Sequence, residues 1–113
     1  MSAKPRLGCR FYRSDSGNEP VRDWLRGLPA EVRKAIGDDV RFVQWSWPVG
    51  KPLVDGFDNG LYEVRTLFDK GIYRLLFEIE DSVMVLLHGL HKKTAKTPKD
   101  ALALARRRQD GRR

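Results

Sequence analysis

Two arginines near the middle of the chain, Arg65 and Arg74, have the spacing expected of a phosphate-binding pair. The segments Leu61–Phe68 and Ile72–Glu80 alternate apolar and polar residues, which predicts two strands joined by a tight turn at residues 69–71. Because the aromatic residues assign one face of this hairpin to the core, both arginines point to the opposite face. Their Cβ atoms are then within about 5–8 Å of each other. Two guanidinium groups at that distance are suited to binding and polarising a phosphate.

The same face also carries Glu63 and Glu78, which leaves a second interpretation open. In that interpretation the two arginines pair with these carboxylates in a salt-bridge ladder on the surface of the sheet. The residue pattern alone is compatible with either arrangement.

A second group of polar residues lies at the end of the next predicted strand, in the segment His88–Lys96. It holds two histidines and three lysines. Histidine changes its protonation near neutral pH and can serve as a general base, and its position near the exposed strand end favours His91 for that role. His88 is also explained as an ordinary strand histidine. The lysines expected to meet phosphate charge are Lys92, Lys93 and Lys96.

No metal site is predicted from these residues. Two histidines three positions apart on a strand point to opposite faces of the sheet. Neither a cysteine nor a cluster of carboxylates accompanies them in the sequence. We therefore expect a chemistry that uses neither a metal nor another cofactor.

Positive charge is concentrated at the C-terminal end of the chain. The 113 residues include 22 Lys and Arg against 15 Asp and Glu, a formal net charge of +7. Residues 92–113 carry nine basic and two acidic side chains, whereas residues 1–91 carry 13 of each. A basic terminal element is typical of nucleic-acid binding, although a solvated helix end also explains it.

Composition and patterning exclude several classes of protein. The longest apolar run, Val83–Leu87, has five residues and is too short to span a bilayer. The N-terminal residues lack the apolar segment of a secretory signal, and the single cysteine, Cys9, cannot form an intramolecular disulfide. We therefore expect one cytoplasmic domain covering residues 1–113, with no membrane partner.

The spacing of apolar residues predicts an α+β fold with the element order β-α-α-β-β-β-α. A helical hairpin near the N-terminus and a C-terminal helix accompany a small antiparallel sheet. The last helix is expected to begin at Thr97 as the N-cap, with Pro98 in its first turn. The predicted elements are a strand at 7–13, helices from 20 and from 29, a loop at 48–60, strands at 61–68, 72–80 and 83–90, and a helix at 97–109.

Several stretches of the sequence resemble a known family. They are LYEVR at 61–65, YRLLF at 73–77 and LLHGLHKKTAKTP at 86–98, preceded by FY at 11–12 and PVRDWL at 20–25. Over residues 9–108, roughly, the chain resembles the phage-derived, HigB-type branch of the RelE/ParE toxin superfamily. The fold of that family is a small antiparallel sheet preceded by a helical hairpin, which is the order predicted above.

The resemblance implies the toxin of a type II toxin–antitoxin pair. Its partner is then a small helix-turn-helix antitoxin, with which it forms a hetero-oligomer. RelE-like toxins cleave mRNA on the translating ribosome without a metal, because the ribose 2′-OH attacks the adjacent phosphate while Arg and Lys side chains stabilise the charge. The residues at the matching positions of this chain are Arg65, Arg74, Lys92 and Lys93.

These considerations define two sets of candidate site residues. The candidate catalytic residues are Arg65, Arg74, His91 and Lys93. The candidates for RNA and ribosome binding are Lys92, Lys96, Lys99, Arg106, Arg107 and Arg108. The general base stays open among Glu63, His88 and His91. Two other functions also stay open, since the related ParE toxins share the fold and inhibit DNA gyrase, and a toxin fold can also serve only to bind nucleic acid.

Overall fold

A five-stranded mixed sheet with three helices forms the fold. The computed structural model describes residues 3–93 and 95–112. The elements are β1 (Gly8–Phe11), α1 (Pro20–Arg26), α2 (Ala30–Ser46), β2 (Val54–Phe57), a 3-10 turn (Asp58–Gly60), β3 (Leu61–Phe68), β4 (Gly71–Glu80), β5 (Val83–Lys92) and α3 (Lys99–Gly111). The strands lie in the order β1-β5-β4-β3-β2. The predicted α+β class, the helical hairpin and the C-terminal helix are confirmed.

Each face of the sheet packs against helices. The helices α1 and α2 cover one face, which we call the hairpin face, and Ile36 of α2 shares its core with Phe77 of β4. Helix α3 covers part of the other face, which we call the α3 face, where Ala101 packs with Leu76. Alternate residues of β3 and β4 therefore enter two different cores, which the strand pleat requires.

The edges of the sheet differ from the prediction in two respects. Residues 48–60 contain the short edge strand β2, which pairs antiparallel with β3, where a loop was predicted. Strand β1 pairs parallel with β5, from Gly8 opposite Val83 to Phe11 opposite Leu86, so the sheet is mixed rather than wholly antiparallel. A four-residue strand such as β2 is too short to show a clear alternation, and strand direction depends on where the chain returns to the sheet.

Strand β5 extends two residues further than predicted. It continues to Lys92, with His91 opposite Tyr73 and Lys92 opposite Ile72. The reason is that β5 pairs with β4 from Glu80 back to Ile72. His91 and Lys92 therefore lie within the sheet, and only the residues after them leave it.

The start of α3 also differs from the prediction. Pro98 is the N-cap residue, and the helix begins at Lys99 without a side-chain cap. Thr97 does not cap the helix because its hydroxyl is hydrogen-bonded to Glu63 instead. Among the described residues, no helix has the length and apolar character needed to cross a membrane.

Candidate nucleic-acid interface

Arg65 and Arg74 are direct partners across β3 and β4. The register of the hairpin pairs them at the Cα level, as the alternation of the two strands predicts. Both side chains belong to the α3 face, since their strand neighbours Val64 and Leu75 lie in the core on the hairpin face. The sequence-based prediction of a same-face pair is therefore confirmed. The two arginines nevertheless have different surroundings, since one is buried and the other is accessible.

Arg74 lies in a buried network. Its side chain is 1% exposed, as is that of Glu63. The Arg74 Nη1 atom donates to Glu63 Oε1 at 3.2 Å and to Thr97 Oγ1 at 3.3 Å. The Thr97 hydroxyl in turn donates to Glu63 Oε1 at 2.8 Å. In this conformation Arg74 has almost no surface with which to contact a phosphate. It connects the β3–β4 hairpin to the segment that precedes α3.

The salt-bridge interpretation is therefore correct for Arg74 and Glu63, although the pair is buried rather than on the surface. Glu78, on the same face, has a cationic partner from the C-terminal end of α3. It is 3% exposed and pairs with Arg112, whose Nη1 lies 2.5 Å from Glu78 Oε2.

Arg65 is the accessible member of the arginine pair. Its side chain is half-buried, and Nη2 donates to the carbonyl oxygen of Ala95 at 3.4 Å. Its backbone amide donates to the carbonyl of Leu53 at 2.8 Å. The side chain lines an open cavity of about 380 Å³ at the β2 edge of the sheet, together with Leu53 and Leu67. Arg65 thus connects the edge of the sheet with the lysine-rich segment.

The lysines of that segment are exposed. Lys92, Lys93, Lys96 and Lys99 all have solvent-accessible side chains. Within residues 3–93 and 95–112, Lys92, Lys93 and Lys99 form no ion pair with a carboxylate. Cations without a neutralising partner keep their full attraction for a polyanion. The segment is therefore a positively charged surface beside Arg65.

The two histidines lie on opposite faces of the sheet, as their spacing predicts. His88 is half-buried on the α3 face. Burial, with a smaller contribution from the positive charge of Arg108, lowers the pKa of His88 below its usual value. His91 is exposed on the hairpin face, where its ring stacks on that of Tyr73 with centroids 4.0 Å apart and planes at 7°. Of the two, only His91 is open to a large ligand.

The candidate catalytic residues are therefore divided between two surfaces. Arg65 and Arg74 belong to the α3 face, while His91 and Lys93 line a cavity on the hairpin face. Sequence reasoning missed Tyr73, which it treated only as a core residue, and Gly71. A Cβ atom at Gly71 would lie 2.3 Å from His91 Nε2, so the glycine leaves the space that the imidazole occupies.

Comparison with known families places most of the chain in a described family. The family described as phage-derived protein Gp49-like (DUF891) matches residues 23–110. This range covers β2 to β5, both residues of the arginine pair and nearly all of α3. The chain belongs to the Gp49-like family. No curated protein matches the chain.

The C-terminal arginines of this Gp49-like protein mostly bind its own sheet. Arg106 Nη1 donates to the carbonyl of Asp58 at 2.9 Å. Arg108 Nη1 donates to the carbonyl of Leu87 at 2.7 Å, and its guanidinium lies 5.3 Å from the ring centroid of Tyr12. These contacts hold α3 against the sheet. The exposed Arg107 makes no such contact among the described residues, so its side chain is available to a partner.

Proposed function

We propose that this Gp49-like protein is the toxin of a type II toxin–antitoxin pair and that it cleaves mRNA on the translating ribosome. The observation that carries the proposal is the accessible Arg65 beside the exposed lysines at the end of the central strands. Membership of the Gp49-like family, which is linked to RelE-like toxins, supports the same conclusion.

The proposed reaction is an internal transesterification of RNA. The ribose 2′-oxygen attacks the adjacent phosphorus, and the bond from phosphorus to the 5′-oxygen of the next nucleotide breaks. The departing 5′-oxygen takes up a proton from water, so the products are a 2′,3′-cyclic phosphate and a free 5′-hydroxyl. Negative charge builds up on the phosphate oxygens in the transition state, where Lys93, which lines the same cavity as His91, stabilises it. Arg65 and Lys92, on the α3 face, bind the RNA backbone.

A base must accept the proton of the 2′-hydroxyl. Glu63 is 1% exposed and holds Arg74 and Thr97, which removes it from contact with a substrate. His88 is half-buried beneath α3. His91 is exposed at the strand end next to Lys92, and histidine side chains exchange protons near neutral pH. We assign the proton transfer to His91.

Arg74 acts in this proposal as a positioning residue. Through Thr97 it fixes the segment that precedes α3, and the same segment offers the Ala95 carbonyl to Arg65. A guanidinium held in one conformation loses less side-chain entropy when it binds a phosphate. The buried network therefore prepares Arg65 to bind a phosphate of the RNA backbone.

The partners in this proposal are the ribosome with its mRNA and a helix-turn-helix antitoxin. Arg107, Lys96 and Lys99 are placed for contact with ribosomal RNA, since their side chains are exposed along one basic stretch of chain. An antitoxin that covers this stretch, or displaces it from the ribosome, stops the reaction.

The direct test is mapping of mRNA 5′ ends after induction of the protein in growing cells. We expect new ends within translated messages for the wild type and for Arg41→Ala, which removes an exposed arginine of α2. We expect none for Arg65→Ala. Intact mRNA accompanied by linear DNA contradicts the proposal and indicates gyrase inhibition. Intact mRNA and intact DNA indicate a protein that only binds nucleic acid.

A further inference from the structure

A second cavity opens at the strand ends on the hairpin face. Its volume is about 360 Å³, and it lies between the start of α2, the β3–β4 turn and the end of β5. This volume is within the range of small-molecule pockets, roughly 300–1,000 Å³. Val32 and Phe68 supply apolar surface, while Glu31 and Asp69 supply carboxylates.

Tyr73 gives this cavity a hydrogen-bond donor. The residue is 9% exposed and lines the cavity. Its hydroxyl has no hydrogen-bond partner among residues 3–93 and 95–112. The ring of Tyr73 is buried, whereas its hydroxyl reaches the open side of the cavity, where a ligand can accept a hydrogen bond from it.

His91 is held in a fixed orientation at the same cavity. One face of its imidazole stacks on Tyr73. Its Nε2 edge lies against the backbone of Gly71, where any side chain would collide with it. Lys93 follows two residues later and also lines the cavity. The cavity thus combines an aromatic ring, a cation, two carboxylates and a hydroxyl donor.

We propose that this cavity binds one guanine nucleotide of the RNA substrate. The Watson–Crick edge of guanine presents an acceptor, O6, beside two donors, N1–H and N2–H. The Tyr73 hydroxyl donates to O6, and the carboxylates of Glu31 and Asp69 accept from the two donors. The apolar surface contacts the base, and Lys93 lies beside the phosphate.

The inference rests on the proposed function, since it places the nucleotide beside the scissile bond in this cavity. The two carboxylates of the cavity favour guanine over the other bases. Uracil presents acceptors on both sides of its single donor, whereas adenine and cytosine each present one donor group beside a ring-nitrogen acceptor. All three leave a carboxylate facing an acceptor or without a donor, so they lose a hydrogen bond that guanine makes.

The test uses the purified full-length protein and four mononucleotides, GMP, AMP, CMP and UMP, with inorganic phosphate as a fifth probe. The imidazole resonances of His91 report binding. We expect GMP to bind at least about ten times more tightly than the other probes, in keeping with a site that is built to hydrogen-bond its ligand. Equal binding of the four nucleotides, an equal shift with phosphate alone, or no binding of GMP at millimolar concentration overturns the inference.

Variants separate the groups that bind the base. Tyr73→Phe removes only the hydroxyl and is expected to weaken GMP binding by about 3- to 10-fold. Glu31→Gln with Asp69→Asn is expected to weaken it by more than about 10-fold, because the two hydrogen bonds lose the negative charge of their acceptors. The charge-matched control is Asp15→Asn with Asp81→Asn, two exposed aspartates away from the cavity, for which no change is expected. Unchanged affinity in the cavity variants contradicts the inference.

The outcomes for the cavity and for the proposed function are distinguishable. New mRNA ends without selective GMP binding, and with the same cleavage sites in Tyr73→Phe, contradict the guanine site but support the ribonuclease. Selective GMP binding without mRNA cleavage supports the guanine site and contradicts the ribonuclease.

Discussion

Arg65 and Arg74 lie directly opposite each other across β3 and β4, yet only Arg65 is accessible. Arg74 is buried in an ion pair with Glu63, and Arg65 reaches the carbonyl of Ala95 at the surface. Two identical side chains in one cross-strand pair therefore have different physical roles. One holds the segment that precedes α3, and the other presents its charge to solvent.

The first prediction concerns the stability of variants of this pair. Arg74→Ala leaves the Glu63 carboxylate buried without its cationic partner, so the free energy of unfolding should fall by about 3–5 kcal/mol. Arg65→Ala should lower it by no more than about 1 kcal/mol, since Arg65 is half-buried and keeps its backbone contacts. Urea unfolding followed by circular dichroism measures both values.

A double variant provides the control for this prediction. Arg74→Met with Glu63→Leu removes both charges and keeps apolar volume, which often preserves stability. We expect the double variant to be more stable than Arg74→Ala. An equal loss of unfolding free energy in Arg65→Ala and Arg74→Ala would show that the buried ion pair does not stabilise the fold more than the exposed arginine does.

The second prediction concerns the salt dependence of RNA binding. Each lysine that neutralises a phosphate releases a counterion, so its removal should reduce the slope of log K against log salt by about 0.7 for single-stranded RNA. We expect this reduction for Lys92→Gln and for Lys93→Gln. Lys34→Gln is the matched control, because Lys34 lies on α2 and is paired with Asp38. Fluorescence anisotropy over a range of salt concentrations measures these slopes. The same slope in the wild type and the three variants would show that Lys92 and Lys93 do not neutralise RNA phosphates.

Local pattern was sufficient to predict the hairpin and its register. Strict alternation along β3 and β4, with a tight turn between them, is enough to place Arg65 opposite Arg74. The helical hairpin could also be predicted from the sequence, since Val32, Ile36 and Val40 follow the helical period.

The environment of Arg74 was not predictable from local pattern. Leu61 and Leu76 share its face and are fully buried against α3. Because this face also carries glutamates and arginines, the sequence pattern predicts that it is exposed to solvent. Burial there depends on where α3 packs, and α3 lies more than twenty residues away in sequence. The Tyr73–His91 stack was missed for a related reason, because it requires the longer β5 that only the pairing with β4 reveals.

The third prediction separates the C-terminal arginines. Arg108→Ala removes the hydrogen bond to Leu87 and the contact with the Tyr12 ring, so it should lower the free energy of unfolding by about 1–3 kcal/mol. Arg107→Ala should change stability by less than about 0.5 kcal/mol, as for other exposed sites, and weaken ribosome binding. Thermal unfolding and ribosome co-sedimentation test the two variants side by side. Ribosome binding that Arg107→Ala leaves intact would exclude Arg107 from the contact.

The fourth prediction concerns pH. Burial lowers the pKa of His88 in the folded protein below the usual value of 6.5, so the unfolded chain binds a proton at a higher pH than the folded protein does. The free energy of unfolding should therefore decrease as the pH falls through 6.5 towards the folded-state pKa. His88→Gln should make this decrease smaller. Urea unfolding at pH 8, where the wild-type histidine is neutral, measures the packing cost of the substitution separately. The same pH dependence in the wild type and in His88→Gln would show that His88 is not the group responsible.

The last prediction concerns the antitoxin. Phe42 is 54% and Trp45 46% exposed, and their spacing of three residues places them side by side on the outer surface of α2. Adjacent exposed aromatic residues commonly mark a protein interface. We expect antitoxin binding to shift the emission of Trp45 to shorter wavelength. We also expect Trp45→Ala to weaken the complex by about 2 kcal/mol, as at an interface hot spot, with little effect on stability. Comparing wild type with Trp45→Phe isolates the signal of Trp45 from those of Trp24 and Trp47. If the difference in emission between the wild type and Trp45→Phe stays the same when the antitoxin is added, the antitoxin binds elsewhere.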